Sequence, residues 1–482
     1  MLTLHTGHGT RDCAGQSRRD FLRIGGLGLG ALTLPQWLAL RAADAQGGTG
    51  FVRDRSVVLL YLSGGASHIE TFNPNMDAPL PYRSMTGATA TSVPGLSFGG
   101  TFTRLAKQAH RMSIVRSFTH SVGDHDKAHA HVLSGGTDEK GDGKLGQSMG
   151  AVYGRLAGTS HPKTGLPSFS LLTHDEVDSQ YRRELERLLR GSSPGKLGAA
   201  LAGFEYQETA AGAGQKKKAA AKRTGSLAED LQLTLPEARL DDRRALLDSL
   251  DRLRRNVDAS GQMAAADKFH QQAFDLITGS AAEALDLSRE DKSVLAGYDT
   301  SKIQIGHKTF RKSTLGRQML VARRLVEAGC GFITVHSAGW DMHADGNNPG
   351  IQKGFDMLGT SLDIAVSAFL EDLAARGLSE KVLLVITGDF GRTPRINKTG
   401  GRDHWARLGT LAFAGGGLPG GAVIGAADRQ NGEPADSPVT PRAMLGTIFH
   451  RLFDVGQLRV ARGLPRELVQ LVEGAEPIRG LA

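Results

Sequence analysis

The sequence of 482 residues predicts an α/β protein, a three-layer α/β/α sandwich around a mostly parallel mixed sheet, with a helical insertion. Two observations carry this prediction. Runs of consecutive apolar residues such as Val382–Ile386 are typical of strands buried on both faces of a parallel sheet. Helical patterns at Leu315–Ala328 and Phe355–Ala375 precede two such runs, and strands that alternate with helices indicate crossover connections.

The predicted elements follow in chain order. The strands are 56–62, 113–118, 166–172, 331–336 and 381–387, and a loop from Asp124 runs into a helix that ends near Gly135. Residues 203–225 are rich in Ala, Gly and Lys and predict a flexible basic loop. Residues from about 227 to 301 predict the helical insertion, because the apolar positions 246, 250, 253 and 257 share one helix face.

The first 45 residues have the features of an export signal. Ser17-Arg18-Arg19-Asp20-Phe21-Leu22 is a twin-arginine motif, an apolar stretch follows it, and Ala43-Asp44-Ala45 offers a cleavage site of small residues. The apolar stretch is only weakly hydrophobic, so a permanent membrane span is not expected. We expect export by the twin-arginine pathway to the periplasm or cell surface, with a retained, uncleaved anchor as the alternative.

Charge and cysteine content bear on partners and cross-links. The formal charge is +8, and outside the basic loop the positive residues are scattered, so nucleic acid is not an expected partner. A mild preference for anionic substrates is as much as this charge suggests. Of the two cysteines, Cys13 lies in the export signal, which leaves Cys330 without a disulfide partner in the mature chain.

Potential metal ligands follow several predicted strands. The six candidates are Asp341, His343, Asp389, Asp403, His404 and His68. Because the chemistry of open α/β sheets lies just past the carboxyl ends of the strands, we expect these side chains to converge. A buried carboxylate is costly unless it is paired or metal-bound, so Asp389 predicts either a metal site or an ion pair with Arg392.

A second group of candidates is a histidine cluster. The positions 120, 125, 129 and 131 place four histidines within twelve residues, next to Asp124 and Asp126. Imidazole binds zinc and similar ions, and carboxylates suit Mn²⁺, Mg²⁺ or Ca²⁺. His129 and His131 are two residues apart and therefore lie on different faces of a helix, so at most one of them is expected to point into a site.

The motifs together resemble a known bacterial family. The segments that carry the resemblance are Leu62–His68, Phe72–Pro74, Arg116–His120, Ala322–Gly329, Gly339–His343, Asp389–Pro394, Gly401–His404 and Ala414–Gly417. With the twin-arginine segment, they resemble the family of domain of unknown function 1501, sulfatase-like proteins of the alkaline phosphatase superfamily. The resemblance covers roughly residues 54–456 and leaves 457–482 as a C-terminal tail.

The resemblance implies an alkaline phosphatase-like domain with one or two divalent ions, Zn, Mn or Ca, at the carboxyl edge of the sheet. By position, the superfamily's metal ligands fall on Asp341, His343, Asp389 and His404. Three positions depart from its pattern: Gly64-Gly65-Ala66-Ser67 replaces an acidic ligand, Phe390 replaces a histidine, and the attacking hydroxyl falls on or near His125. A histidine there can bind metal or accept a phosphoryl group, but it cannot act as an alkoxide.

Residues and resemblance together predict an exported, metal-dependent hydrolase of phosphate or sulfate esters. His125 is expected near the reacting group, and Arg392 is expected to help hold the anion. The expected partner is a small anionic ester or a sulfated or phosphorylated glycan. The alternative, which the missing hydroxyl favours, is a non-catalytic metal- or glycan-binding surface protein on the same fold.

Replacement of both Arg18 and Arg19 by Lys is expected to leave a folded precursor in the cytoplasm, because the arginine pair is the recognised feature of the signal. Cell fractionation followed by immunoblotting measures the distribution. The control is Arg23→Lys, which changes an arginine of the same segment outside the pair. Normal export of the double variant would show that another route carries the protein.

Overall fold

The computed structural model describes residues 50–138, 140–142, 146–208 and 281–481. The expected export signal, most of the basic loop and most of the helical insertion lie outside these ranges. The described end of the insertion contains two short helices, Ala281–Leu285 and Lys292–Gly297. Within the described ranges, no helix has both the length and the apolar character needed to cross a membrane.

An eight-stranded mixed sheet forms the centre of the protein. Its strands are β1 Ser56–Leu62, β2 Met112–Val115, β3 Phe169–His174, β4 Phe204–Glu208, β5 Phe332–Ser337, β6 Val382–Gly388, β7 Leu411–Gly415 and β8 Val423–Ile424. Their order across the sheet is β8-β2-β7-β6-β1-β5-β3-β4. Strands β6, β1, β5, β3 and β4 are parallel, and β7 is antiparallel to both neighbours. The predicted α/β class with a mostly parallel mixed sheet is confirmed.

Helices cover both faces of the sheet. The longer ones are α1 His125–Leu133, α2 Met149–Ala157, α3 Ser179–Gly191, α4 Leu315–Glu327, α5 Thr360–Ala375 and α6 Pro441–Leu452. Shorter α-helices are His68–Thr71, Ile351–Gly354, Val455–Val460 and Arg466–Glu473, a 3-10 helix spans Leu105–Arg111, and a π-helical turn spans Phe355–Gly359. Small two-stranded pairs join Ala88–Ala90 to Ser97–Gly99, Gln304–Gly306 to Phe310–Lys312, Gly391–Arg392 to His404–Trp405, and Ala426–Ala427 to Pro434–Asp436.

Alternate residues of β1 point into two separate apolar cores. Leu60 lies in the core that includes residues of α4 and α5, whereas Leu59 lies in the core that includes residues of α2 and α6. Because successive side chains of a strand point to opposite faces of the sheet, a central strand apolar at every position requires helices on both sides. The arrangement is the expected three-layer sandwich.

Two boundaries differ from the sequence expectation. The start of the expected flexible loop, Phe204–Glu208, forms the edge strand β4, in which Tyr206 and Glu208 are buried and Gln207 between them is exposed. At the other end, the expected tail is part of the fold, because Leu468, Val472 and Ile478 are buried in the same core as α6. Both segments are short and rich in polar residues, so their apolar positions do not stand out in the sequence.

A buried ion pair ties the loop after β1 to the loop that carries His404. Arg402 and Glu70 are both fully buried, with Nη2 and Oε1 2.9 Å apart. Arg402 also donates to the carbonyl oxygens of Arg83 and Thr393, at 2.9 and 3.0 Å. Because each ion is removed from water, removal of one partner leaves the other charge buried without its counter-ion.

We expect Glu70→Ala to lower the free energy of unfolding by about 3–5 kcal/mol, since it leaves the Arg402 guanidinium unpaired in the interior. The matched control is Glu433→Ala, which removes the exposed partner of Arg407 and is expected to cost about 1 kcal/mol or less. Chemical denaturation of both variants measures the difference. Equal, small losses would show that the buried pair is not a structural requirement.

Candidate metal centre

The central strands bring three loops together at one edge of the sheet. Strand β1 pairs in parallel with β5 and β6, so Leu62 is the neighbour of both Ser337 and Gly388. The loop after β1 approaches the others very closely at Gly64, where φ is 100° and a Cβ atom would lie 2.6 Å from the backbone nitrogen of Asp341. Only glycine permits this approach.

Asp389 follows β6 directly and is fully buried. Its Oδ1 accepts a hydrogen bond from the Gly64 backbone nitrogen at 3.0 Å, and its Oδ2 contacts Nδ1 of His125. Burial opposes ionisation, but His129, His125 and Arg392 outweigh it and hold the pKa of Asp389 well below its usual value. Asp389 is therefore a carboxylate whose two oxygens both have partners.

His125 lies between two carboxylates. It begins α1, as the sequence predicted, because Asp124 caps the helix by accepting from the Lys127 backbone nitrogen. Its Nδ1 faces Asp389, whereas its Nε2 lies 3.5 Å from Oδ2 of Asp341 and has no hydrogen-bond partner. Burial lowers the pKa of His125, but the two carboxylates outweigh burial and raise it.

Asp341 joins His125 to the more exposed side of the site. Its Oδ1 lies 2.9 Å from Nε2 of His343 and 3.4 Å from Nε2 of His404. Nε2 of His404 is buried and lacks a hydrogen-bond partner. Burial raises the pKa of Asp341, but Arg392 and the three histidines lower it well below its usual value. Asp341 is therefore an ionised carboxylate surrounded by imidazole rings.

Two sets of side chains in this region could each hold an ion, and both include His125. They are His125, Asp341 and His404, and His125, His129 and Asp389, with ligand atoms within 4.8 Å of one another in each set. In the deeper set, His129 is already occupied: its Nδ1 lies 2.9 Å from the His125 carbonyl oxygen and its Nε2 lies 3.1 Å from Ser63 Oγ. The outer set contains the two unpartnered nitrogens and is the better fit to a divalent ion.

Arg392 lies at the centre of these loops but is not free to bind an anion. Its fully buried guanidinium forms an ion pair with Asp341 rather than with Asp389. It also donates to the carbonyl oxygens of Gly64, Gly65 and Arg402, at 2.8 Å for Gly65 and 3.3 Å for Arg402. The expectation that Arg392 holds a substrate anion is therefore not supported, because its donors are used inside the protein.

The two remaining predicted ligands, His68 and Asp403, lie at the margin of the candidate metal centre. His68 hydrogen-bonds through Nε2 to the carbonyl oxygen of Asn431 at 3.0 Å, and burial lowers the pKa of its imidazole to about 4. It does not belong to any ligand set in the described residues. Asp403 has a side chain that is 59% exposed, and it reaches the centre only through a 3.0 Å contact with Nδ1 of His343.

The sequence did not single out Glu184, although the site depends on it. This fully buried residue of α3 accepts a hydrogen bond from the Gly339 backbone nitrogen at 2.6 Å and so supports the loop that carries Asp341. Burial raises the pKa of Glu184 well above its usual value. Glu184 precedes Gly339 by 155 positions, and nothing in the sequence marks this contact.

No serine in a Gly-x-Ser-x-Gly sequence forms a nucleophile elbow. This five-residue pattern occurs three times, at 95–99, 146–150 and 191–195. Ser97 belongs to a short strand pair, Ser148 caps α2 and donates to the Ser192 carbonyl oxygen, and Ser193 follows the end of α3. A nucleophile elbow instead places its serine on a sharp turn from a strand to a helix.

Comparisons with solved structures give extensive but distant similarities. A sulfatase from Pseudoalteromonas sp., PsFucS1, has 11% identity over 83% of this chain and 70% of its own, with a TM-score of 0.33. A phosphonate monoester hydrolase from Silicibacter pomeroyi has 10% identity over 88% and 78%, with a TM-score of 0.32. An alkaline phosphatase from the Antarctic bacterium TAB5 has 10% identity over 83% and 97%, with a TM-score of 0.31.

Comparison with curated proteins gives no match. A protein family described as "Protein of unknown function (DUF1501)" matches residues 54–481, which include every strand of the sheet and all the loops of the candidate metal centre. This chain belongs to the DUF1501 family.

Proposed function

We propose that this protein binds a divalent metal ion through His125, Asp341 and His404 and hydrolyses a phosphate or sulfate ester there. The main support is that Nε2 of His125 and Nε2 of His404 are both buried without a partner and both approach the same ionised carboxylate. A buried polar atom without a partner is costly unless something binds it. Two imidazoles and one carboxylate with an open position is a ligand set typical of catalytic zinc.

Neighbouring side chains orient these ligands. Asp389 accepts from Nδ1 of His125, which leaves the Nε2 lone pair directed towards Asp341. A carboxylate behind a metal-binding histidine is a common arrangement, because it fixes the tautomer and makes the imidazole more basic. Arg392 pairs with Asp341 and holds that carboxylate in place.

The exposed side of the centre is where an ester would enter. The side chains of His404 and His343 are 33% and 20% exposed, whereas Asp389 is fully buried. A divalent ion supplies a charge that polarises an ester oxygen and lowers the pKa of water. The hydroxyl of Ser67 is bound to Glu70, and that of Ser63 lies between two histidines, so the geometry favours water over either serine as the attacking group.

His343 lies at this rim with both ring nitrogens facing protein groups. Its Nε2 lies 2.9 Å from Oδ1 of Asp341 and 3.3 Å from Nη1 of Arg392, and its Nδ1 lies 3.0 Å from Oδ1 of Asp403. A small anionic ester or a sulfated or phosphorylated glycan is the substrate class that we propose, in the periplasm or at the cell surface, where the twin-arginine segment would direct the protein.

We expect Asp341→Asn to remove one equivalent of bound divalent metal, because an amide lacks the charge that draws the ion between the two histidines. Metal analysis by inductively coupled plasma mass spectrometry, after dialysis against metal-free buffer, measures the stoichiometry. The matched control is Asp345→Asn in the same loop, whose carboxylate accepts hydrogen bonds from the backbone nitrogens of Asn347 and Asn348. Full metal content in Asp341→Asn would rule out this centre.

We expect His125→Ala to abolish ester hydrolysis and to remove one equivalent of bound metal, since His125 is proposed as a ligand of this centre. Asp389→Asn keeps the ligands but loses their support, so metal affinity should fall about 10–100-fold. A panel of phosphate and sulfate esters, assayed with metal-loaded protein, measures turnover. Loss of turnover with full metal content in His125→Ala would instead make His125 the group that attacks the ester.

The same assay decides between hydrolysis and binding. The absence of a hydroxyl at the position of the superfamily's nucleophile favours a non-catalytic metal- or glycan-binding protein as the second candidate. Turnover of any ester by the metal-loaded wild type, lost in Asp341→Asn, supports the hydrolase. A metal-loaded protein that turns over no ester but binds a sulfated glycan would support the second candidate.

A further inference from the structure

A second cluster of potential ligands lies beside the candidate metal centre. Strands β3 and β5 are parallel neighbours, and His174 ends β3 while His336 lies near the end of β5. Their imidazole rings stack with centroids 5.5 Å apart and an interplanar angle of 11°. Oε1 of Glu176 lies 3.7 Å from Nδ1 of His174 and 3.5 Å from Nδ1 of His336.

The side chains of this cluster are almost completely removed from solvent. The exposed fractions are 3% for His174, 4% for Glu176 and 0% for His336. Both carboxyl oxygens of Glu176 and Nδ1 of His336 have no hydrogen-bond partner. A buried carboxyl group without a donor is strongly disfavoured. The candidate hydrolytic centre does not use any of these three residues, so their arrangement requires a separate explanation.

We propose that His174, Glu176 and His336 form a second divalent metal site, of the zinc class, that is independent of the proposed ester hydrolysis. Ligand atoms about 2.0–2.1 Å from a tetrahedral ion lie roughly 3.3 Å apart. The two Glu176 distances, 3.7 and 3.5 Å, are close to that spacing.

Arg311 is a cationic neighbour of this cluster and would compete with a metal ion for Nδ1 of His174. Nη2 of its buried guanidinium contacts Nδ1 of His174. Its Nη1 donates to the carbonyl oxygen of Lys312 at 3.2 Å and to Thr314 Oγ1 at 3.3 Å. A bound ion would replace the contact between Arg311 and His174, and the same Nδ1 of His174 also lies 3.2 Å from the carbonyl oxygen of Asp175. Without an ion, Arg311 is the charge that faces Glu176, although it contacts the histidine rather than the carboxylate.

Ser63 joins the proposed second site to the candidate centre. Its hydroxyl lies 3.0 Å from Nε2 of His336 and 3.1 Å from Nε2 of His129. His129 in turn has its Nδ1 3.7 Å from Oδ2 of Asp389. An ion on Nδ1 of His336 would orient that ring and, through Ser63, the residues behind the outer ligand set. This indicates a structural role, because Glu176 and both histidines are closed to substrate.

The test compares metal stoichiometry in four forms of the zinc-loaded protein after dialysis against metal-free buffer. Glu176→Gln is expected to hold one equivalent of zinc fewer than wild type. The double variant Glu176→Gln/Asp341→Asn is expected to hold two equivalents fewer than wild type. The matched control is Glu208→Gln, which changes a buried carboxyl on the neighbouring strand that has Arg317 and Tyr206 as partners. It should retain the wild-type zinc content.

A second measurement does not depend on any variant. Crystals of the zinc-loaded wild type, measured at the zinc absorption edge, should show an anomalous peak between His174, Glu176 and His336. Equal zinc content in wild type and Glu176→Gln, or no peak between the three side chains, would overturn the proposal and leave Arg311 as the counter-charge of Glu176. A peak here without one at Asp341 would preserve this site and disprove the hydrolytic centre.

Discussion

One buried negative charge, that of Asp389, organises the edge of the sheet where the candidate centre lies. The carboxylate stands at the end of the strand next to β1, with no access to water, and must therefore obtain its partners from other loops. The backbone of Gly64 satisfies one oxygen and the first residue of α1 satisfies the other. The carboxylate thus holds the first residue of α1 and the loop after β1 together at this edge of the sheet.

The same arrangement gives protein partners to one of the carboxylates that the sequence predicted as metal ligands, Asp389. The backbone N–H of Gly64 donates to Oδ1 of Asp389 at 3.0 Å. Both oxygens of Asp389 therefore already have protein partners. One carboxylate, Asp341, remains among the imidazoles of the outer set, and Arg392 already offsets part of its charge. This donor set is consistent with one ion in the outer set.

The sequence predicted the central strands well, because strands buried on both faces are apolar at every position. It missed the edge strand β4 and the antiparallel β7, where short length, small residues or polar alternation weaken the pattern. Asp341, Asp389, His404 and His125 were identifiable because each lies at the end of a recognisable element. Ser63, Glu184 and Glu176 were not, since they contact partners 66 to 273 positions away, although Glu176 also has a partner nearby in the chain, His174.

The hydroxyl of Ser63 has a single hydrogen and can donate to only one of the two imidazoles that face it. If Nδ1 of His336 is used as a lone pair, Nε2 of His336 carries the proton and donates to Ser63, which must then donate to Nε2 of His129. That choice places the remaining proton of His129 on Nδ1, directed at the carbonyl oxygen of His125. One serine therefore couples the tautomers of His336 and His129, which lie on different elements. Reversal of one of its two hydrogen bonds would reverse the direction of the other.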